Sequence, residues 1–309
     1  MEKHAHHHEN PSERLLVSIL LNGAITLAEI AGGILSNSLS LVSEAIHNLS
    51  DTLALTLTWV ANRVGGRKPD ARRTFGYKRF EILSAFINAA LLTGISVYLS
   101  YIAVVRFMHP ETVATGLMLV VASVGFTGNL VSMLFLHRDS KKSLNVKAAY
   151  LHLLGDTISS LAVIAGALFI RYTGIVWIDP LLTILISCVI LVQAWGILRE
   201  SVDILMQSTP QHLDLASIKT LLEKQPCVRN IHHVHCWQLQ DHDILFEAHI
   251  STTEDMLLSD SNILRGRIEK ILQENFSITH TTLEIEFETC HDTSMISQPC
   301  QNPLEKHPE

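Results

Sequence analysis

Charge is scarce in this sequence. Asp, Glu, Lys and Arg make up 17% of its 309 residues, against about 25% in a typical soluble domain. An excess of basic charge is missing too: the formal net charge is −7. A nucleic-acid binder carries a basic footprint, so that class is excluded. Cysteine is sparse and unpatterned. Cys188, Cys227, Cys236, Cys290 and Cys300 show no CxxC spacing and no even framework, which argues against a disulfide scaffold. No small-residue cleavage site follows the first apolar run, so no signal peptide is expected. No HExxH occurs, and the commonest zinc-hydrolase signature is therefore absent.

What is present is uneven. Residues 1–200 hold 16 Lys and Arg against 13 Asp and Glu; residues 201–309 hold 7 against 17. The first two-thirds is apolar and nearly uncharged, and the last third is acidic. This excludes a simple soluble enzyme and predicts a membrane domain with an appended soluble domain. Histidine is abundant, with 17 residues, nine of them in the acidic third.

A spanning helix needs about 20 mostly apolar residues. Six runs qualify: Leu15–Leu35, Leu39–Val64, Ile82–Phe107, Ala114–Leu136, Val146–Tyr172 and Ile175–Leu198. Arg63, Arg67, Lys68, Arg72, Arg73, Lys78 and Arg79 cluster at the connection of runs two and three, and Arg138, Lys141, Lys142 and Lys147 at that of four and five. The other connections are almost bare. The positive-inside rule places both basic loops, and hence both termini, in the cytoplasm. The domains are then a His-rich tail (1–13), a six-helix membrane domain (14–206), a cytosolic domain (207–290) and a loose tail (291–309). The cytosolic domain reads as αββαβ, with Leu213–Glu223 and Ile263–Phe276 helical and Val228–Gln238, Ile244–Ser251 and Thr281–Thr289 alternating as strands.

Charged residues inside spans are costly and mark function by default. Run two contains His47-x-x-x-Asp51 and run five His152-x-x-x-Asp156. A spacing of four puts both side chains on one helix face, about 6 Å apart along the axis. Two such helices side by side offer two imidazoles and two carboxylates. That set suits tetrahedral Zn²⁺. It lacks the thiolate that Cu(I) favours, and its two nitrogens disfavour Mg²⁺ and Ca²⁺. Ligands must be deprotonated to bind, so metal and protons compete for the same groups. Such a site suits an antiporter. Glu29 and Glu44 are further acids within spans, read as proton-relay or packing groups.

The sequence resembles the cation diffusion facilitators, closest to their zinc-exporting branch. The resemblance rests on Ser38-Leu-Ser-Leu-Val-Ser-Glu-Ala-Ile-His-Asn-Leu-Ser-Asp51, Phe75-Gly-Tyr-Lys-Arg-Phe-Glu81, Ser143-Leu-Asn-Val-Lys-Ala-Ala-Tyr-Leu-His-Leu-Leu-Gly-Asp156 and His232-His-Val-His-Cys-Trp237. It runs from Leu15 to about Glu288. It implies a homodimer that exchanges cytosolic Zn²⁺ for protons by alternating access, with His47, Asp51, His152 and Asp156 as the transport site. His at the first of these positions goes with zinc preference over cadmium in the family. The soluble domain resembles a metallochaperone-like fold that dimerises and binds regulatory zinc. His232, His249, His280 and Glu286 match regulatory ligands there, with His235 and Cys290 as weaker candidates. The basic segment Gly65–Tyr77 holds no histidine, so no metal site is expected in it. The cluster His4-Ala-His-His-His8 reads as a weak metal collector.

The expected partners are therefore membrane lipid, divalent metal ions and a second copy of the chain, and not nucleic acid. The compact loops point to a bacterial inner membrane. Rival readings are export of another divalent ion (Co²⁺, Cd²⁺ or Fe²⁺), a membrane metal sensor, and an intramembrane zinc hydrolase. Four protein ligands leave a hydrolase no open position for water.

Overall fold

In a bilayer every backbone polar group must find its partner within the protein, so long apolar runs become helices. A computed structural model describes residues 11–137, 144–240, 243–288 and 294–296. Its first six elements are the helices α1 (Pro11–Ser36), α2 (Leu39–Gly65), α3 (Arg79–Met108), α4 (Thr115–His137), α5 (Leu144–Thr173) and α6 (Ile178–Leu205). α3, α4, α5 and α6 are long and apolar enough to cross a membrane. α1 and α2 have the length, 26 and 27 residues. α2 is the least apolar of the six because it carries Glu44, His47 and Asp51, and α1 carries Glu29.

The chain divides into two units: Met1–Val64 with Ser84–Leu198, and Gly65–Leu83 with Arg199–Glu309. In the first, α4 packs along α5 and α1. One buried cluster joins Leu41, Met118, Ala122, Val163 and Ala167; another joins Leu39, Leu99 and Ala103. Large apolar side chains of α3, α4 and α6 such as Leu91, Val120 and Val192 are exposed, the surface that lipid would cover.

The second unit contains α7 (Leu215–Glu223), β1 (Val228–Gln240), β2 (Asp243–Thr252), α8 (Leu258–Phe276) and β3 (His280–Glu286). The order αββαβ is the one read from sequence. Asp214 caps α7, accepting from the amides of Ala216 and Ser217 at 3.1 Å, which satisfies donors that have no partner within the helix. β1 pairs antiparallel with β2, and β2 parallel with β3. α8 supplies the crossover that a parallel pair needs. Leu264, Ile268 and Leu272 recur every four residues on α8 and pack with Ile218, Leu222, Ile231, Phe246, Ile250 and Ile278. α8 starts five residues before its predicted start, because Leu258-Ser-Asp-Ser-Asn262 is polar but still helical. Of the alternating apolar residues in the predicted strand Thr281–Thr289, Leu283 and Ile285 reach the core, while Phe287 lies past the end of β3 and is exposed. The amide of Val234 donates to the carbonyl of Met295 at 2.9 Å, so residue 295 lies against β1. Residues 241–242, between β1 and β2, lie outside the described residues, as do His4 to His8 and Cys290.

Candidate metal centres

α2 and α5 carry the two HxxxD repeats, and their polar faces meet. His47 Nε2 lies 3.3 Å from Asp156 Oδ1 and 3.8 Å from Asp51 Oδ2. His152 Nε2 lies 3.2 Å from Asp51 Oδ2 and 3.7 Å from Asp156 Oδ2. One donor atom from each of the four residues falls within 4.8 Å of all the others. A tetrahedral ion with bonds of about 2.0–2.1 Å separates its ligand atoms by about 3.3 Å. The observed spacings bracket that value. Each imidazole lies nearest the carboxylate of the other helix, so neither helix alone makes the group. Asp156 is buried and His152 is exposed.

Two cavities meet at this group. One, of about 370 Å³, is lined by His47, His152 and Asp156 with apolar residues of α5 and α6, among them Leu182 and Ile186. The other, of about 330 Å³, is lined by Asp51, His152 and Asp156 with Asn22, Asn48 and Asn129. The first holds one side-chain amide, Gln193, and the second holds three.

Glu29 and Glu44 stay outside the four-residue group. Glu29 accepts from Asn48 Nδ2 at 2.8 Å, and Glu44 accepts from the Ser160 hydroxyl. Both are buried. Gly125 sits where a Cβ would strike the Glu29 carboxylate, so the helix must lack a side chain there for that acid to fit. Gly94, by contrast, has open space around it and mediates no close approach among the described residues.

The sequence reading missed Asp179. It lies in the first turn of α6, inside the sixth apolar run. In the fold it is fully buried and caps α2 from another helix. Its carboxylate accepts from the amides of Leu39 (2.9 Å) and Ser40 (3.2 Å) and from the hydroxyls of Ser38 (2.6 Å) and Ser40 (2.7 Å). Arg106 Nη1 stands 3.8 Å away and also donates to the Asn37 carbonyl at 2.7 Å. Asn37 takes the left-handed backbone (φ 56°) that the tight α1–α2 turn needs. A segment such as Ser38-Leu-Ser40 signals a cap, but not that its acceptor lies 139 residues downstream.

In the second unit, one residue from each strand converges. His232 and His249 are direct partners across β1 and β2, and Ser251 pairs with Glu286 across β2 and β3. His232 Nε2 lies 3.1 Å from Glu286 Oε1, His249 Nδ1 lies 3.9 Å from Glu286 Oε2, and Ser251 donates to Glu286 at 2.9 Å. His232, His249 and Glu286 form a second compact donor group. His280, expected with them, is not there. It opens β3 opposite Leu245, six residues or about 20 Å along the strand from Glu286, and packs against Phe75 with ring centroids 6.2 Å apart. His235 is exposed opposite Glu247, also outside the group. Between them a bulge at His233 (φ 51°) shifts the register and re-aims that residue. Its ring ends 4.7 Å from that of His249, a placement that simple alternation does not foretell.

The comparisons with known proteins agree with this architecture. The model of the cation efflux transmembrane domain matches residues 15–206, and that of the cation efflux protein cytoplasmic domain matches residues 210–288. The chain belongs to the cation efflux family. That is a class of metal cation transporters, not of enzymes. Among its relatives, the zinc transporter ZitB of Pectobacterium atrosepticum is 40% identical over 291 residues, covering 94% of this chain and 90% of the relative. The metal cation efflux system protein CzcD of Cupriavidus metallidurans is 36% identical over 288 residues (93% and 90%). The cadmium, cobalt and zinc/H(+)-K(+) antiporter of Bacillus subtilis is 35% identical over 305 residues (97% and 98%). Both HxxxD repeats lie inside the transmembrane match, and the three-strand group lies inside the cytoplasmic one.

Proposed function

We propose that this member of the cation efflux family is a homodimeric antiporter that exports Zn²⁺ from the cytosol in exchange for protons by alternating access. One observation carries the reading: two imidazoles and two carboxylates, from two helices, stand at the spacing of a single tetrahedral ion. His47, Asp51, His152 and Asp156 hold the zinc. Each must be deprotonated to do so, and protonation of the emptied site supplies the exchange. The two cavities that meet at Asp156 support access from two sides in turn. The names of the relatives, zinc transporter for one and H(+)-K(+) antiporter for another, support cargo and coupling.

The cytosolic group His232, His249 and Glu286 binds regulatory zinc. The match to the cytoplasmic-domain model and the exposed Leu257, Leu258 and Ile263 near the start of α8 support a surface that a second copy covers. The loop charges and the bacterial relatives support an inner-membrane location with both termini in the cytoplasm. The reading predicts two zinc ions per chain. Asp156→Ala should remove one and abolish flux, and Glu286→Ala should remove the other while flux persists. Two ions still bound by Asp156→Ala would sink the site assignment. A second reading, export of Co²⁺ or Cd²⁺ as well, is favoured by the cadmium and cobalt in the name of the Bacillus relative and is read by the same flux assay with each ion.

A further inference from the structure

The segment 65–83 contains most of the chain's clustered basic charge, and zinc chemistry does not use it. Asp70 organises it. One carboxylate oxygen accepts from the amides of Arg72 and Arg73 at 2.8 Å, and the other from the Tyr77 hydroxyl at 3.1 Å. The Arg73 guanidinium lies over the Tyr77 ring, 4.6 Å from its centroid. Lys78 ties the segment to β2 through Asp243 at 2.6 Å. Arg72 and Arg79 are among the cations left over. Among the described residues neither Arg72 nor Arg79 has a carboxylate partner. The Nε of Arg79 is shut off from solvent with no acceptor, and a buried donor of a charged group left unpaired is costly.

Both arginines line one cavity of about 390 Å³, with Lys78, Phe75, Trp237 and Leu239 among its other walls. Its volume falls in the range of small-molecule sites. One wall is cationic and planar-donating, which matches phosphate oxygens. Phe75, Trp237 and Leu239 make another part of the lining aromatic and aliphatic, which matches an apolar continuation. The chain also fixes the depth of the cavity. Arg79 is the first residue of the apolar helix α3, and Gln207, another lining residue, follows the end of α6 by two. Both mark the border where spanning segments end.

We propose that this cavity binds the phosphate group of an anionic phospholipid headgroup, held by Arg72 and Arg79. Free inorganic phosphate shares the chemistry but has nothing for Phe75, Trp237 and Leu239 to touch. The test is native mass spectrometry of the full-length protein titrated with phosphatidylglycerol, phosphatidylcholine or inorganic phosphate. Phosphatidylglycerol should bind in preference to phosphatidylcholine and survive excess phosphate. Arg79→Gln should weaken it about tenfold, the loss of one charge-assisted bond, and Arg79→Lys should restore part of it. Arg72→Gln, an exposed change without fold consequences, should act in the same direction. Unchanged binding in both glutamine variants overturns the site. Displacement of the lipid by phosphate overturns the lipid as its source.

Discussion

Asp179→Ala should loosen the start of α2, the helix that carries half of the intramembrane donor group. The side chain holds two α2 amides and two serine hydroxyls at 2.6–3.2 Å from a position with no solvent contact. Losing a side-chain cap costs about 1 kcal/mol. Losing charge-assisted bonds in a buried setting adds about 1.5–3 kcal/mol. Two effects reduce the total. Ser38 and Ser40 stand 3.2 Å apart and can bond each other, and Arg106 keeps Glu111 at 3.2 Å. A net loss of about 3 kcal/mol follows, or about a hundredfold faster local opening at 1.4 kcal/mol per tenfold. Asp179→Asn keeps one acceptor and should lose about half of that free energy, about a tenfold effect. Hydrogen–deuterium exchange of the peptide containing Leu39, Ser40 and Leu41 reads this directly. His47 lies eight residues on, about 12 Å along the helix axis, so the anchor also sets where the donor group sits. Unchanged exchange at residues 39–41 in both variants would refute the cap.

Three further outcomes follow from the geometry. Burial pushes the Cys236 thiol up to about 11, so at pH 8 its alkylation should run about a hundredfold slower than that of an unperturbed thiol, since only the thiolate reacts. A rate like that of free cysteine would contradict the packing of β1. The hydroxyl of Ser217 and the amides of Ala216 and Ser217 hold the Asp214 carboxyl below the usual carboxylate range. The cap on α7 is therefore complete above the unfolded-state value and is lost as pH falls through the lower folded-state value; Asp214→Asn should flatten the acid limb of a thermal-stability profile, and an identical profile would disprove the linkage. Gly125→Ala should drive a methyl group into the Glu29 carboxylate, break its bond to Asn48 and cost about 1–3 kcal/mol of detergent-measured stability. Full stability in that variant would show that α1 and α4 part without penalty.

Much of this was legible from residue order because lipid and zinc impose simple rules. Helix boundaries came from apolar run length. The donor group came from i,i+4 spacing, which needs only that α2 and α5 be neighbours. The failures share another cause. Asp179 and Arg106 act across chain separations of 139 and 69 residues, and no local pattern carries such pairings. His280 alternates correctly with Glu286 yet sits at the far end of β3, since alternation fixes the face of a strand and not which end meets its neighbours. His233 reaches His249 only because a bulge breaks that alternation. The segment 65–83 looked like a membrane loop by charge, but its Lys78–Asp243 and Phe75–His280 contacts make it part of the second unit.

The most direct test of the central claim is zinc flux into proteoliposomes under an imposed pH gradient. The account predicts uptake that follows the gradient, reverses with it, and vanishes in Asp156→Ala while the variant still binds zinc at His232, His249 and Glu286. Zinc bound by the intact protein without flux under any gradient would contradict it and make the molecule a membrane metal sensor.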